Sequence, residues 1–346
     1  MSLDCNSTGS ESEVSEAAVL AFLKRPESYP DSTARVEVKR THLSWVFLTD
    51  HHVFKLKKRV VDELVDFRRS PSRRANCETE LRLNRRLAPA VYLEVVPITL
   101  RPDGHLALGG DGEPIDWLVK MARLDQELFL DRAIHRGSVD RAALAQVGRL
   151  LNGFYGTAPA VDVDPDRYLA QFYRRIAEAR RVIATLGLPE FQYPANAAAG
   201  AMLDFLRDHG GVLIQRLRPG TIREVHGDLR PEHIHLGMPV AVIDCLEFAP
   251  PLRQLDPVEE LAYLAMECER LDAGWIGDVM FAACAPALAG APPPRLVAFY
   301  KASRALQRSR LTLRHSTVPG DRSPHHWLAQ SAGYLAASCE YVAQLG

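Results

Sequence analysis

The feature that most limits how this chain can fold is a change of periodicity near Arg123. Before it, short runs rich in β-branched and aromatic residues recur at Val36–Lys39, Trp45–Thr49, Val53–Lys57, Tyr92–Ile98, His105–Leu108 and Trp117–Met121. Asp50-His51-His52 turns the second run into the third, and Gly109-Gly110-Asp111-Gly112 reads as the hairpin turn between the last two. One charged segment, Ala75–Leu87, has helical spacing instead, with Leu83 and Leu87 four apart on one face. Ser15 is placed to cap a first helix over Glu16–Leu23. After Arg123 the spacing is helical over Leu128–His135, Asp140–Tyr155, Pro165–Leu186 and Ala195–His209, with Leu188–Pro194 as a loop. Only 222–256 breaks the pattern, with turns and one short hairpin, and helices resume from Pro257, interrupted by a linker at Pro286–Pro294 and a loop at Thr317–Ser323. The pattern predicts an α+β chain of two lobes: a polar tail over 1–14, a small antiparallel sheet lobe with an inserted helix over 15–122, and a larger helical lobe over 123–346.

Charge and cysteine usage exclude several classes of function. Lys plus Arg number 42 against 43 Asp plus Glu, so the net balance favours neither nucleic acid nor an anionic membrane as partner. The six cysteines are scattered and form no C-x-x-C pair, which removes zinc-ribbon and redox motifs and fits reduced thiols in a cytoplasmic protein. The N-terminal residues are polar and acidic with no apolar core of a leader, and the most apolar stretch, Val279–Ala291, is too short to span a bilayer. Oligomeric state is not legible.

The chemistry sits in Val225–Leu236, which contains His226-Gly227-Asp228-Leu229-Arg230-Pro231-Glu232-His233, and in Val240–Phe248, which contains Ile243-Asp244-Cys245-Leu246-Glu247. Asp228 lies in a turn, and sixteen residues on Asp244 ends an apolar strand, so two carboxylates arrive at loop and strand ends where they can converge. Phosphoryl transfer needs such a pair: one carboxylate to orient the attacking hydroxyl, another to hold the magnesium on the phosphates. It also needs a lysine on the phosphate oxygens, held in place by a glutamate.

This set resembles the aminoglycoside phosphotransferase family, itself similar to protein kinases, whose signature is His-Gly-Asp-Leu-His-x-x-Asn followed by an apolar strand ending in Ile-Asp. Thr41–Leu48 and Glu80–Pro89 look like a bacterial subgroup often fused to a P-loop kinase domain, and the resemblance runs from about residue 19 to 310. No G-x-x-x-x-G-K-S/T occurs, so a P-loop half is not in this sequence.

The resemblance implies ATP and Mg2+ as cofactors, a small-molecule hydroxyl as acceptor, and a role for each matching residue. Asp228 is the catalytic aspartate and Asp244 the metal ligand. Arg230, where relatives carry Lys or His, either steadies the γ-phosphate or is simply solvated. His233 replaces the family's Asn; an imidazole suits manganese or zinc better than magnesium, or it hydrogen-bonds Asp228 instead. Lys55 is the phosphate lysine, with Lys57 on the same strand face as the alternative. Glu80 is its helix partner, with Glu78 second. Residues 36–57 hold no glycine, so Thr41 and Ser44 take the place of a glycine-rich loop at the phosphates. Backbone groups of Val119–Leu124 are expected at the adenine edge. Glu259, Glu260, Glu267, Glu269 and Asp272 are candidates to face the acceptor, against Arg304, Arg308 and Arg310 for an anionic one.

Two other readings remain. A nucleotide-binding regulatory module with little catalysis fits His233 and the missing glycine loop. A protein kinase fits less well, because Asp244-Cys245-Leu246 stands where Asp-Phe-Gly would and no Ala-Pro-Glu follows.

Overall fold

The computed structural model describes residues 14–62, 64–317 and 323–346. The tail expected over 1–14 therefore lies outside the described residues except for Val14, as does most of the loop expected at Thr317–Ser323. The chain divides into two compact units, Met1–Leu124 and Asp125–Gly346.

The first unit opens with α1 (Glu16–Leu23), whose N-cap Ser15 accepts the Ala18 N–H at 3.2 Å. Strands β1 (Glu37–Arg40), β2 (Ser44–Leu48) and β3 (His52–Lys57) follow as an antiparallel meander. A small hairpin, β4 (Val61–Asp62) and β5 (Val65–Asp66), leads to α2 (Ser70–Asn84), and β6 (Tyr92–Leu100), β7 (Leu106–Leu108) and β8 (Glu113–Ala122) complete the unit. Among the described residues six strands form one antiparallel sheet in the order β1-β2-β3-β8-β6-β7. Alternation along β3 sorts its two faces. Phe54 and Leu56 join a buried cluster with Val19, Phe22 and Leu23 of α1, while Lys55 and Lys57 point the other way, to α2.

Two expectations are corrected here. The helix runs over 70–84 rather than 75–87: Pro71 presets the first turn, and a start among Ser and Arg residues leaves no apolar signal to read. The stretch Gly109–Gly112 joins β7 to β8, but these strands are not partners; β6 lies between them. Gly109 and Gly110 take positive φ, and a side chain at Gly112 would meet the Leu100 carbonyl at 2.7 Å, so the glycines let the chain fold back past the end of β6.

The second unit begins with α3 (Leu130–His135), α4 (Arg141–Thr157), α5 (Pro165–Thr185), α6 (Pro189–His209) and the single turn α7 (Gly211–Ile214). The loop expected at Leu188–Pro194 is helix: Pro189 starts α6, and Pro194 lies inside it, in the second turn, where it forgoes one i→i−4 bond. Short strands β9 (Arg223–Glu224), β10 (Ile234–His235), β11 (Ala241–Val242) and β12 (Gln254–Leu255) pair as β10 with β11 and β9 with β12. Then come α8 (Pro257–Glu269), α9 (Trp275–Cys284), α10 (Pro294–Ser316) and α11 (Pro324–Val342). Helix α8 is buried from Pro257 to Cys268, on every side, so its carboxylates must find partners inside the protein. No helix among the described residues is long and apolar enough to cross a membrane.

Candidate functional site

In the first unit, Glu80 receives both lysines of β3. Its Oε1 lies 2.8 Å from Lys55 Nζ and its Oε2 lies 2.5 Å from Lys57 Nζ. Lys57 and Glu80 are fully enclosed, whereas 13% of the Lys55 side chain is exposed, so Lys55 is the member of the cluster that reaches solvent. Glu78 faces outward and pairs with Arg74 one turn away. Thr41 and Ser44 lie together at the β1–β2 turn: the Thr41 hydroxyl donates to the Ser44 carbonyl and accepts the Ser44 N–H, both at 3.0 Å, and Ser44 is buried. The Thr41 side chain thus closes the turn on the Ser44 backbone. The backbone expected at an adenine edge is also largely spent, since Val119–Met121 are paired in the sheet and the N–H groups of Ala122 and Arg123 bond to Val91 and His51.

In the second unit, the turn His226-Gly227-Asp228 is built over α8. The buried Glu260 carboxylate accepts the N–H of Gly227 at 2.5 Å, the N–H of His226 at 3.3 Å and the Tyr155 hydroxyl at 2.9 Å. Gly227 has φ of 90°, a conformation that favours glycine, and a side chain there would press on the Leu252 carbonyl at 3.0 Å. His226 is enclosed. Its Nε2 bonds to the Ile243 carbonyl at 2.8 Å and its Nδ1 accepts the Asp228 N–H at 3.3 Å, which defines a neutral tautomer. Burial, then the neighbouring His233, push its pKa down to about 4. It ties the strand leading to Asp244 to the loop holding Asp228.

Asp228 has both carboxylate oxygens engaged. Oδ1 accepts the Tyr263 hydroxyl at 3.1 Å, and Oδ2 accepts Arg230 Nε at 3.1 Å. Burial works to raise its pKa, but the Arg230 guanidinium, with His233 and Arg308, outweighs burial and holds the carboxyl well below the usual range. Such a group orients a hydroxyl and is a weak proton acceptor. Arg230 also binds Glu232 at 2.5 Å, so it is an internal cation of the loop rather than a solvated one.

His233 is buried, with Nδ1 on the Asp228 carbonyl at 2.8 Å, and Nε2 3.3 Å from Arg230 Nη2 and 3.6 Å from Asp244 Oδ2. A guanidinium already sits at the one ring nitrogen left for a metal, so His233 does not suit a second cation; its bond to Asp228 is the alternative the sequence offered. Asp244 fits one magnesium better. It projects from the end of the β10–β11 hairpin with φ of 64° and a side chain 47% exposed. Aspartate tolerates that backbone, and one carboxylate suffices for an ion that keeps waters and phosphate oxygens as its other ligands. Among the described residues no cluster of three or more His, Cys, Asp or Glu side chains makes an all-protein cage.

Tyr263 carries no sequence signal for its place at Asp228, since a tyrosine on a helix distant along the chain looks like an ordinary core residue, and Arg308 is singled out in the sequence only as a candidate for an anionic acceptor. The α8 carboxylates expected near the acceptor are all partnered. Glu260 holds the loop, Glu259 pairs with Arg175 and Arg304, Glu267 takes the Tyr334 hydroxyl, and Glu269 binds Lys301 and Tyr341. Asp272 instead ends a helix-terminal turn with φ of 57°.

No family model matches the chain. It is 29% identical over 287 residues to uncharacterized proteins of Mycobacterium tuberculosis and Mycobacterium bovis, which covers 80% of this chain and 54% of theirs; the chain spans about half the length of these curated relatives. Among solved structures, a choline kinase from Streptococcus pneumoniae aligns with a TM-score of 0.54 at 12% identity, over 88% of this chain and 94% of its own. A choline/ethanolamine kinase family protein from Mesorhizobium loti aligns with a TM-score of 0.52 at 15% identity, over 93% and 99%. The chain therefore has the protein-kinase-like α+β fold that these proteins share, an antiparallel sheet unit followed by a helical unit, as the resemblance in its sequence implied.

Proposed function

We propose that this chain is an ATP-dependent phosphotransferase that transfers the γ-phosphoryl group to a hydroxyl of a small molecule. The observation that carries the reading is the construction around Asp228. A buried glutamate and a neutral histidine fix the turn that carries one carboxylate, a tyrosine bonds that carboxylate, and Asp244, 47% exposed, projects from the end of the β10–β11 hairpin against His233. In this reading Asp228 aligns the acceptor hydroxyl, Asp244 holds magnesium, and Lys55, with Glu80 and Lys57 behind it, binds phosphate oxygens. Magnesium, when bound, neutralises charge on the phosphates. The solved structures with this fold include proteins named as choline kinases, which supports a small-molecule acceptor over a protein.

Thermal unfolding with ATP, with and without magnesium, tests the reading on the wild type and on Asp244→Ala. A ligand near saturation stabilises the folded state by about 2–4 kcal/mol. A shift that needs magnesium and vanishes in Asp244→Ala supports the reading; no shift with ATP sinks it. A metal-independent shift favours the second reading, a nucleotide-binding regulatory module, for which the engagement of both Asp228 oxygens by Arg230 and Tyr263 speaks.

A further inference from the structure

Within the second unit, one guanidinium collects three side chains of the kinds that elsewhere hold cations. Arg230 Nε and Nη2 each lie 3.1 Å from Asp228 Oδ2, Nη1 lies 2.5 Å from Glu232 Oε1, and Nη2 lies 3.3 Å from His233 Nε2. Every nitrogen of the fork is thereby engaged. The imidazole is oriented for this contact. Its Nδ1 meets the Asp228 carbonyl at 2.8 Å, and a carbonyl only accepts, so Nδ1 carries the proton and Nε2 turns its lone pair to the guanidinium. The other Asp228 oxygen accepts the Tyr263 hydroxyl. The spacing is that of an arginine fork and not of a metal cage: among the described residues no three His, Cys, Asp or Glu side chains are placed to hold an ion together.

The resemblance implies a second divalent ion on the Asn that His233 replaces, and these residues do not fit one. An ion shared by Asp244 and residue 233 has to take the ring nitrogen that lies 3.6 Å from Asp244 Oδ2, and that nitrogen already accepts from Arg230. Such an ion also stands beside a guanidinium that stays charged at any working pH, and like charges at that range repel. Asp244 alone still suits one magnesium, which draws its remaining ligands from water and phosphate. We infer that Arg230 stands in for the second ion: the site takes one divalent ion, on Asp244, and the guanidinium supplies the remaining fixed positive charge. The inference rests on the phosphotransferase reading for the nucleotide and its first ion. What it adds is the ion count and the residue that sets it.

The test counts ions rather than turnover. The full chain is equilibrated with manganese and the non-hydrolysable β,γ-imido analogue of ATP, then ultrafiltered. Retained nucleotide is read by absorbance and retained manganese by electron paramagnetic resonance after acid release. Wild type should retain one ion per bound nucleotide however far free manganese is raised. The variant Arg230→Ala/His233→Asn removes the guanidinium and restores the amide. It should bind the nucleotide at least about tenfold more weakly at low manganese, tenfold being about 1.4 kcal/mol. Raised manganese should recover most of that loss in the variant, with a second ion retained, and should not tighten wild type. A merely structural Arg230 gives no such rescue. His233→Asn alone keeps the guanidinium and should still retain one ion. Urea unfolding confirms that each variant is folded, and wild type with His233→Asn decides the ion count where the double variant is not. Two ions on wild type, two on His233→Asn, or a folded double variant that retains one ion at every manganese concentration overturns the inference and leaves the phosphotransferase reading standing. Failure of wild type to retain nucleotide at all sinks that reading, and the inference with it.

Discussion

Lys57 and Glu80 form a 2.5 Å ion pair in which neither side chain reaches solvent, and Lys55 shares the same carboxylate from two positions earlier on β3. On the proposed reading the two lysines divide a structural and a binding task that their spacing leaves equivalent. Removing one member of a buried pair strands the other, at about 3–5 kcal/mol. Lys57→Met should lose stability on that scale in urea unfolding. Lys55→Met should lose well under half as much, yet abolish the thermal shift produced by ATP. Equal destabilisation by the two substitutions, with ATP binding retained in Lys55→Met, would show that the exposed lysine has no phosphate role.

Glu260 receives three donors and gives none: two backbone N–H groups of the His226-Gly227 turn and the Tyr155 hydroxyl. Burial raises its pKa, against the opposing pull of those bonds. Glu260→Gln keeps the size but turns an acceptor into an N–H2 that must face another donor. A buried bond lost this way costs about 1–3 kcal/mol. The expected outcome is a lower urea midpoint with faster amide exchange at His226 and Gly227. Unchanged exchange at those two amides would mean that the turn holds its shape without the carboxylate.

The parts of this arrangement legible in the sequence are those in which the chain meets itself locally. Asp228, Arg230 and His233 lie within six residues, and their contacts follow from that turn. The pairing of β3 lysines with a helix glutamate follows from strand alternation plus one choice, Glu80 over Glu78. Tyr263 lies 35 residues beyond Asp228, and only the path of α8 brings it there. Glu260 reads as one of a run of helix carboxylates, because nothing in the run says that α8 is buried all round. The partner of β8 was misread for a related reason: adjacency along the chain favours β7, while the sheet inserts β6 between them.

Tyr263 is a positioning residue in this scheme, since it acts through Asp228. Burial pushes its phenol well above the ordinary value, so it remains a donor at any working pH. A hydrogen bond to a charged group is worth about 1.5–3 kcal/mol. Tyr263→Phe removes that bond with little change in shape, and should lower kcat by roughly 10- to 100-fold with KM for ATP nearly unchanged. A purely structural role would instead lower the urea midpoint and leave the kcat of the folded fraction intact, which separates the two cases once an acceptor is in hand.

His226 should make the protein acid-sensitive above the range in which its carboxylates titrate. In the folded chain burial and His233 hold the ring neutral down to about pH 4, whereas in the unfolded chain it takes up a proton near 6.5. Between these values the unfolded state binds the extra proton, so stability is complete above about pH 6.5 and falls as the pH drops toward 4. The span corresponds to about 3 kcal/mol at most. Urea unfolding at several pH values between 7.5 and 4.5 measures the slope. His226→Asn keeps a donor for the Ile243 carbonyl and an acceptor for the Asp228 N–H without a titrating group. The variant should start less stable at pH 7.5 but lose less between pH 6.5 and 5, where few carboxylates titrate. If wild type and variant fall in parallel over that interval, the ring is protonated as readily in the folded chain as in the unfolded one, and the tie between the Asp228 turn and the Asp244 hairpin is not the neutral imidazole described above.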